Sequence, residues 1–236
     1  MLNSVFRLKT ELKKSADPKR ARVSMSFFKT GPGHYGQGDI FLGLTVPRLR
    51  QIALKYSDLS LIEIKALLYG KIHEHRQAAL EILVFRYEQG DSKKKQAIAK
   101  FYLTHSKQVN NWDLVDSSAG YILGDYLYRK DKKVLYDFAK SRNIWQRRIA
   151  IISTYSYIRR GEYKETLKIA KLLLRDPHDL IHKAVGWMLR EIGKKSLETE
   201  TAFLDKHYEQ MPRTMLRYAI ERFPDKLRFS YLKGKA

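Results

Sequence analysis

A chain of 236 residues with 44% hydrophobic content has enough apolar material for a packed core, and its charge is spread too evenly along the chain for a disordered tail. The 46 Lys and Arg against 25 Asp and Glu leave a formal net charge of +21, an excess that in a folded chain serves a polyanion, with nucleic acid the leading candidate. The absence of cysteine excludes a disulfide framework, a thiolate metal site and thiol catalysis, and no apolar run approaches membrane-spanning length.

The N-terminal stretch MLNSVFRLKTELKKSADPKRAR is amphipathic and has no uninterrupted apolar core, so it is a poor secretory signal and the expectation is a soluble intracellular protein with no membrane partner. SMSFFK then reads as helix, followed by the one clearly irregular stretch, Thr30 to Gly43, which holds five of the 13 glycines. Gly31, Gly33 and Gly36 have the spacing of a dinucleotide-binding fingerprint. The motif needs a strand before it and a helix opening within it; neither is present and Pro32 interrupts it, so nucleotide binding is not expected here. DIFLG continues as extended chain until Val46 and Pro47 open the next helix.

From there apolar residues recur at three- and four-residue spacing: Val46, Leu49, Ile52 and Ala53, then Ala79, Ile82, Leu83 and Phe85, and later Leu167, Ile169, Ala170 and Leu174. Joints between runs are short, as at Glu88 to Asp91 and Arg175 to Pro177, and about twelve to fourteen helices are expected. Grouped in pairs of roughly 35 to 45 residues, they predict an all-α chain, a right-handed α-solenoid of HEAT-like helical repeats forming a single domain over 1–236; a compact irregular bundle is the alternative. His73 and His75 are two apart on a helical run and face different sides, so no metal site is assigned.

VNNWDLVDSSAGYILGD, residues 109–125, is the most informative segment. On a helix Trp112 and Asp116 share a face, an indole plate beside a carboxylate, whereas Asp113 points elsewhere. Asn110 or Asn111 is the expected N-cap, which would let the helix N-terminus favour an ionised Asp116. The plain alternative is a core tryptophan and an aspartate serving the helix dipole. In NIWQRRIAI, Arg147 and Arg148 interrupt an apolar helix and need an anion. In HKAVGWMLRE, Lys183, Trp187 and Arg190 place a second aromatic plate between cations on one face. Here too the cations have a plain alternative, lying over an apolar core.

NNWDLVD, GDYL, NIWQRRIAI and HKAVGWMLRE, in this order and spacing and preceded by FLGLTVPRLRQIA, resemble the AlkD-like DNA alkylation repair family over about Phe27 to Arg222. The resemblance implies a superhelix of HEAT-like pairs with a concave basic surface and a DNA glycosylase that excises cationic N3- and N7-alkylated purines from duplex DNA without a closed base-flipping pocket. It implies Asp116, Trp112 and Trp187 as catalytic residues and Arg148 at the phosphate-contacting position, with Arg147 beside it and Lys183 and Arg190 as further DNA-binding residues. No cofactor and a cytoplasmic, nucleoid-associated location in a bacterium are expected, and monomeric action is the default because a solenoid needs its concave face free. The GPGHYGQGD insertion is longer than the corresponding family connection, so the family's N-terminal DNA contacts do not transfer residue by residue. A non-catalytic protein binding bent or branched DNA and a scaffold for an acidic protein partner are the competing functions.

Overall fold

The computed structural model describes residues 2–234 and is all-α; among these residues the only β pairing is an isolated parallel bridge between Ile40 and Ile72. The described residues form two compact units, one up to Ser118 and the other from Ala119.

The first unit contains α1 (Leu2–Lys14), α2 (Pro18–Phe27), α3 (Val46–Leu54), α4 (Leu61–Leu68), α5 (His73–Glu88), α6 (Ser92–Thr104) and α7 (Trp112–Asp116). Its helix starts follow from local chemistry. Asp17 caps α2 by accepting from the backbone N–H of Lys19 (2.9 Å) and Arg20 (3.2 Å), with Pro18 at the first helical position. Thr45 caps α3, and Ser60 with Glu63 forms a reciprocal capping box on α4. Leu8 and Leu12 of α1, Leu49 and Ile52 of α3, Ile64 and Leu67 of α4 and Ala79, Ile82 and Leu83 of α5 are all buried, whereas Phe85, expected on the same stripe of α5, is exposed.

The expected loop lies between α2 and α3. Gly43 closes it with φ of +85°, and a Cβ there would stand 2.3 Å from the Asp17 carbonyl oxygen, so glycine lets the returning chain lie on the start of α2. Val46 and Pro47 open α3 as anticipated, although Val46 itself is exposed.

The second unit contains α8 (Asp125–Leu127), α9 (Lys133–Ala139), α10 (Ile144–Ser153), α11 (Tyr155–Arg159), α12 (Lys164–Leu173), α13 (Asp179–Gly193), α14 (Leu197–His207), α15 (Arg213–Ala219) and α16 (Asp225–Leu232). Ile149 and Ile151 of α10, Ile169 and Ala170 of α12, Ala184, Val185, Met188 and Leu189 of α13, and Met215 and Leu216 of α15 make its core. A π-helical turn at Gly120–Gly124 precedes α8. Segments such as α7 and α8 are single turns, too short to be stable alone, and exist because the surrounding structure holds them.

Candidate functional site

In the first unit the site begins with α7. Asn111, fully buried, is its N-cap: the side-chain oxygen accepts from the Trp112 N–H at 2.8 Å. The part-exposed Trp112 ring stacks on Phe28 (centroids 5.0 Å, interplanar angle 19°) and meets Phe27 edge-on (5.7 Å). The aromatic ladder continues from Phe28 to Phe41 at 4.9 Å and from Phe41 to the His73 imidazole at 4.4 Å.

Asp116 is part-exposed and shares α7 with Trp112, as the spacing predicted. Its expected stabilisation by the helix N-terminus does not hold. The helix is only five residues long, Asp116 is its last residue, and the N-terminal position belongs to Asp113. Tyr102 of α6 pairs its hydroxyl with Ser118 Oγ at 2.8 Å; burial, reinforced by the negative charge of Asp116, raises the pKa of this phenol.

Asp113 points away from the Trp112 face and into a buried chain of charge. Its Oδ2 accepts from His73 Nε2 at 2.7 Å, and His73 Nδ1 donates to Asp39 Oδ2 at 3.0 Å. Asp39 in turn pairs with Arg76 and accepts from Asn111 Nδ2 at 3.2 Å, while Arg76 donates to the Gly70 carbonyl at 2.9 Å. Burial pushes the His73 pKa down, but Asp113 and Asp39 outweigh it and raise it to about 9, so His73 is an imidazolium at neutral pH donating from both nitrogens. Burial likewise pushes the Asp39 pKa up, and hydrogen bonding from His73 with the charge of Arg76 brings it below the usual carboxylate value. His75, two residues on, is the opposite case: burial and the charges of Lys9 and Arg76 lower it to about 4, so it is neutral. Between them Glu74 accepts from the backbone N–H groups of Leu42 (2.8 Å) and Gly43 (2.7 Å), tying the end of the glycine-rich segment to α5.

In the second unit Asn143 caps α10 through the Trp145 and Gln146 N–H groups. The anion sought by the two arginines is internal for one of them: Arg147 Nε pairs with Asp176 at 2.6 Å, and its Nη1 donates to the Ser141 and Arg142 carbonyls. Arg148 is only 4% exposed and donates from Nη1 to the Leu180 carbonyl at 2.5 Å. Both arginines therefore brace α10 against the start of α13.

On α13 Trp187 is part-exposed, with its indole Nε1 donating to Glu191 at 3.0 Å and its ring near Tyr155 (6.1 Å). The flanking cations are paired: Lys183 with Asp179 at 3.2 Å, and Arg190 with Glu221 and, more distantly, Glu191. Gly186 sets the seat of this helix, because a Cβ there would lie 2.4 Å from the Met215 carbonyl oxygen and 2.5 Å from Tyr218 Cβ on α15.

The structure thus puts Trp112 and Asp116 on one helix, and Arg147 and Arg148 against the beginning of the helix that carries Lys183, Trp187 and Arg190. Asp39, His73, Arg76 and Asp113, and the Phe28 and Phe41 rungs under Trp112, were not anticipated. The available signal was HEHRQ, a polar run opening an otherwise apolar helix. No group of three or more His, Cys, Asp or Glu placed to hold a metal ion occurs among the described residues, and no helix there is long and apolar enough to cross a membrane.

Residues 8–223 match the family model described as DNA alkylation repair enzyme. No curated protein matches the chain. Among solved structures, the chain is similar to a predicted DNA alkylation repair enzyme from Enterococcus faecalis at TM-score 0.71 and 15% identity, covering 89% of this chain and 98% of that one. It is also similar to AlkD2 from Streptococcus mutans, at TM-score 0.54 and 17% identity over 94% of this chain and 97% of that one. A third structure, smu.31 from Streptococcus mutans UA159, aligns at TM-score 0.53 and 16% identity, covering 94% and 100% of the two chains. At these identities the likeness is one of fold, and it agrees with the all-α helical-repeat class expected from apolar spacing.

Proposed function

Since the chain belongs to the DNA alkylation repair enzyme family, we propose that it is a monofunctional DNA glycosylase that hydrolyses the N-glycosidic bond of cationic N3- and N7-alkylated purines in duplex DNA. The observation that carries this is α7: one short helix presents a part-exposed indole, Trp112, and a part-exposed carboxylate, Asp116, in a chain of net charge +21.

The chemistry asks little of an acid. Alkylation at N3 or N7 leaves the purine positively charged, so when the bond to C1′ breaks the electron pair goes to the base, which departs neutral. Positive charge then develops on the deoxyribose, where a carboxylate is the complementary group. Asp116 supplies it, and orients the water that delivers its oxygen to C1′ and loses a proton to the carboxylate or to solvent. The indole face of Trp112 favours the cationic sugar through its quadrupole, and Trp187 is assigned a catalytic role by its motif position.

Duplex phosphates are the natural counter-charge for the basic excess. Arg148 holds a phosphate by its motif position, with Arg147, Lys183 and Arg190 as further contacts; each cation first exchanges the partner it has in the free protein. The protein acts as a monomer and without a cofactor.

Release of free base from methylated duplex DNA by the wild type and by Asp116→Asn tests the proposal. The expected outcome is release by the wild type and a loss of about 10²–10³-fold in the variant, the scale seen when one electrostatic stabiliser is removed, with melting temperature and DNA affinity retained. Equal release by both removes Asp116 from the mechanism. No release by either, with salt-sensitive binding retained, would instead assign the chain to non-catalytic recognition of bent or branched DNA.

A further inference from the structure

A five-residue helix has no intrinsic stability, so something outside α7 decides where Trp112 and Asp116 stand. Stacking on Phe28 fixes the depth of the indole but is tolerant of sliding and rotation. Direction comes from the polar groups at the start of α7. Asn111 and Asp113 are both anchored to the same buried pair, Asn111 through Asp39 at 3.2 Å and Asp113 through His73 at 2.7 Å. His73 is 2% exposed, sits at the first position of α5, and is itself fixed by Asp39 on the other side and by the Phe41 ring on its face. A buried ionic chain gives less stability than apolar packing of similar volume, and a well-attested use of one is to specify a single geometry.

We infer that His73 is a positioning residue for α7: clamped between Asp39 of the glycine-rich segment and Asp113, it fixes the rotation and register of the helix that presents Trp112 and Asp116. As a statement about catalysis this rests on α7 carrying the glycosylase chemistry proposed above; as a statement about α7 it does not. The glycine-rich segment then contributes to the site without touching substrate, since Asp39 orients His73, and Glu74 holds the segment's end on α5 through Leu42 and Gly43. Displacement of catalytic groups by about 1 Å costs on the order of 10²-fold in rate, so the expected loss on breaking the clamp lies in the chemical step and leaves binding nearly intact.

The test uses the full chain as His73→Gln and as Asp113→Asn, with two readouts. Amide hydrogen exchange over residues 112–117 is expected to accelerate by about tenfold or more in both variants while exchange in α13 stays at the wild-type rate. Single-turnover release of methylated purine at saturating protein is expected to slow by roughly 10–100-fold, with DNA affinity unchanged. If His73→Gln leaves Asp113 without its cation and does not fold, Asp113→Asn tests the same clamp with His73, Asp39 and Arg76 in place.

Wild-type exchange over 112–117 in a folded variant overturns the inference whatever the activity. Faster exchange with undiminished release removes the catalytic half of it. If the wild type itself releases no base while the variants loosen α7, the glycosylase proposal falls and the clamp on α7 stands.

Discussion

The helices that carry Trp112 and Trp187 are held in opposite ways. Around α7 the scaffold includes a polar, directional part: Asn111, Asp113, His73, Asp39 and Arg76 form a buried chain at the start of the helix. Around α13 it is apolar and steric: fifteen residues with a strong amphipathic stripe are seated by Leu180, Ile181, Ala184, Val185, Met188 and Leu189, and pressed against α15 where Gly186 permits it. Polar fixation suits a short element whose orientation matters more than its depth, because hydrogen bonds specify angle. Packing suits a long one, because many weak contacts average to a rigid seat.

If that contrast is right, the largest effect comes from adding volume under α13. Gly186→Val brings side-chain atoms into the backbone of α15 and is expected to cost roughly 1–3 kcal/mol or more, read as a lowered midpoint in urea unfolding. A destabilisation of a few tenths of a kcal/mol would mean that α15 yields easily and that the seat is not steric. In the first unit the comparable blow is electrostatic. Glu74→Ala leaves the Leu42 and Gly43 N–H groups without their buried acceptor and is expected to cost about 1–3 kcal/mol, with increased proteolytic cleavage in the glycine-rich segment.

A pH series sharpens the comparison. The raised pKa of His73 supports the first unit fully below the unfolded value of 6.5, and this support is lost as the pH rises through about 9. The lowered pKa of His75 works the other way: the fold resists its protonation, so stability falls as the pH drops from 6.5 towards about 4. These two groups therefore place the most stable pH of the first unit near 6.5.

Glu200 of α14 in the second unit is buried without a cation to compensate it fully, and its pKa is raised from 4.5 to about 9. Its neutral form fits the fold, so its contribution is complete below 4.5 and is lost steadily as the pH climbs through about 9. Glu200→Gln is expected to match the wild type in melting temperature near pH 4.5 and to exceed it increasingly up to pH 9. A constant difference across that range would show that Glu200 ionises freely in the folded chain.

The smallest effects separate contact from bracing. Lys183 is a surface pair with Asp179, so Lys183→Ala should change stability by about 0.5 kcal/mol or less and reduce the slope of log affinity against log salt by about one. Arg148→Ala should lower DNA affinity and also destabilise the fold, because the Leu180 carbonyl loses its donor. Equal melting temperatures for the two variants would contradict the bracing role.

The sequence alone determined the elements and the charge. Three- and four-residue apolar spacing marks the buried stripe of a helix wherever the helix is long enough to repeat it, as in α3, α5, α12 and α13, and caps such as Asn111 and the break at Thr30 to Gly43 are local chemistry that short peptides already encode. The pairing of Trp112 with Asp116 was legible for the same reason: four residues on a helix is a fixed geometry. What only the tertiary structure decided is which polar residues go inside. HEHRQ at the start of α5 has the composition of a solvated helix end, yet all five residues are buried. Their partners, Asp39 and Asp113, are 34 and 40 residues from His73 along the chain, and no local periodicity encodes a charge whose compensation is that distant. The same holds for Arg147 and Arg148, where the sequence required partners and only the packing of α10 against the approach to α13 named them as Asp176 and the Leu180 carbonyl.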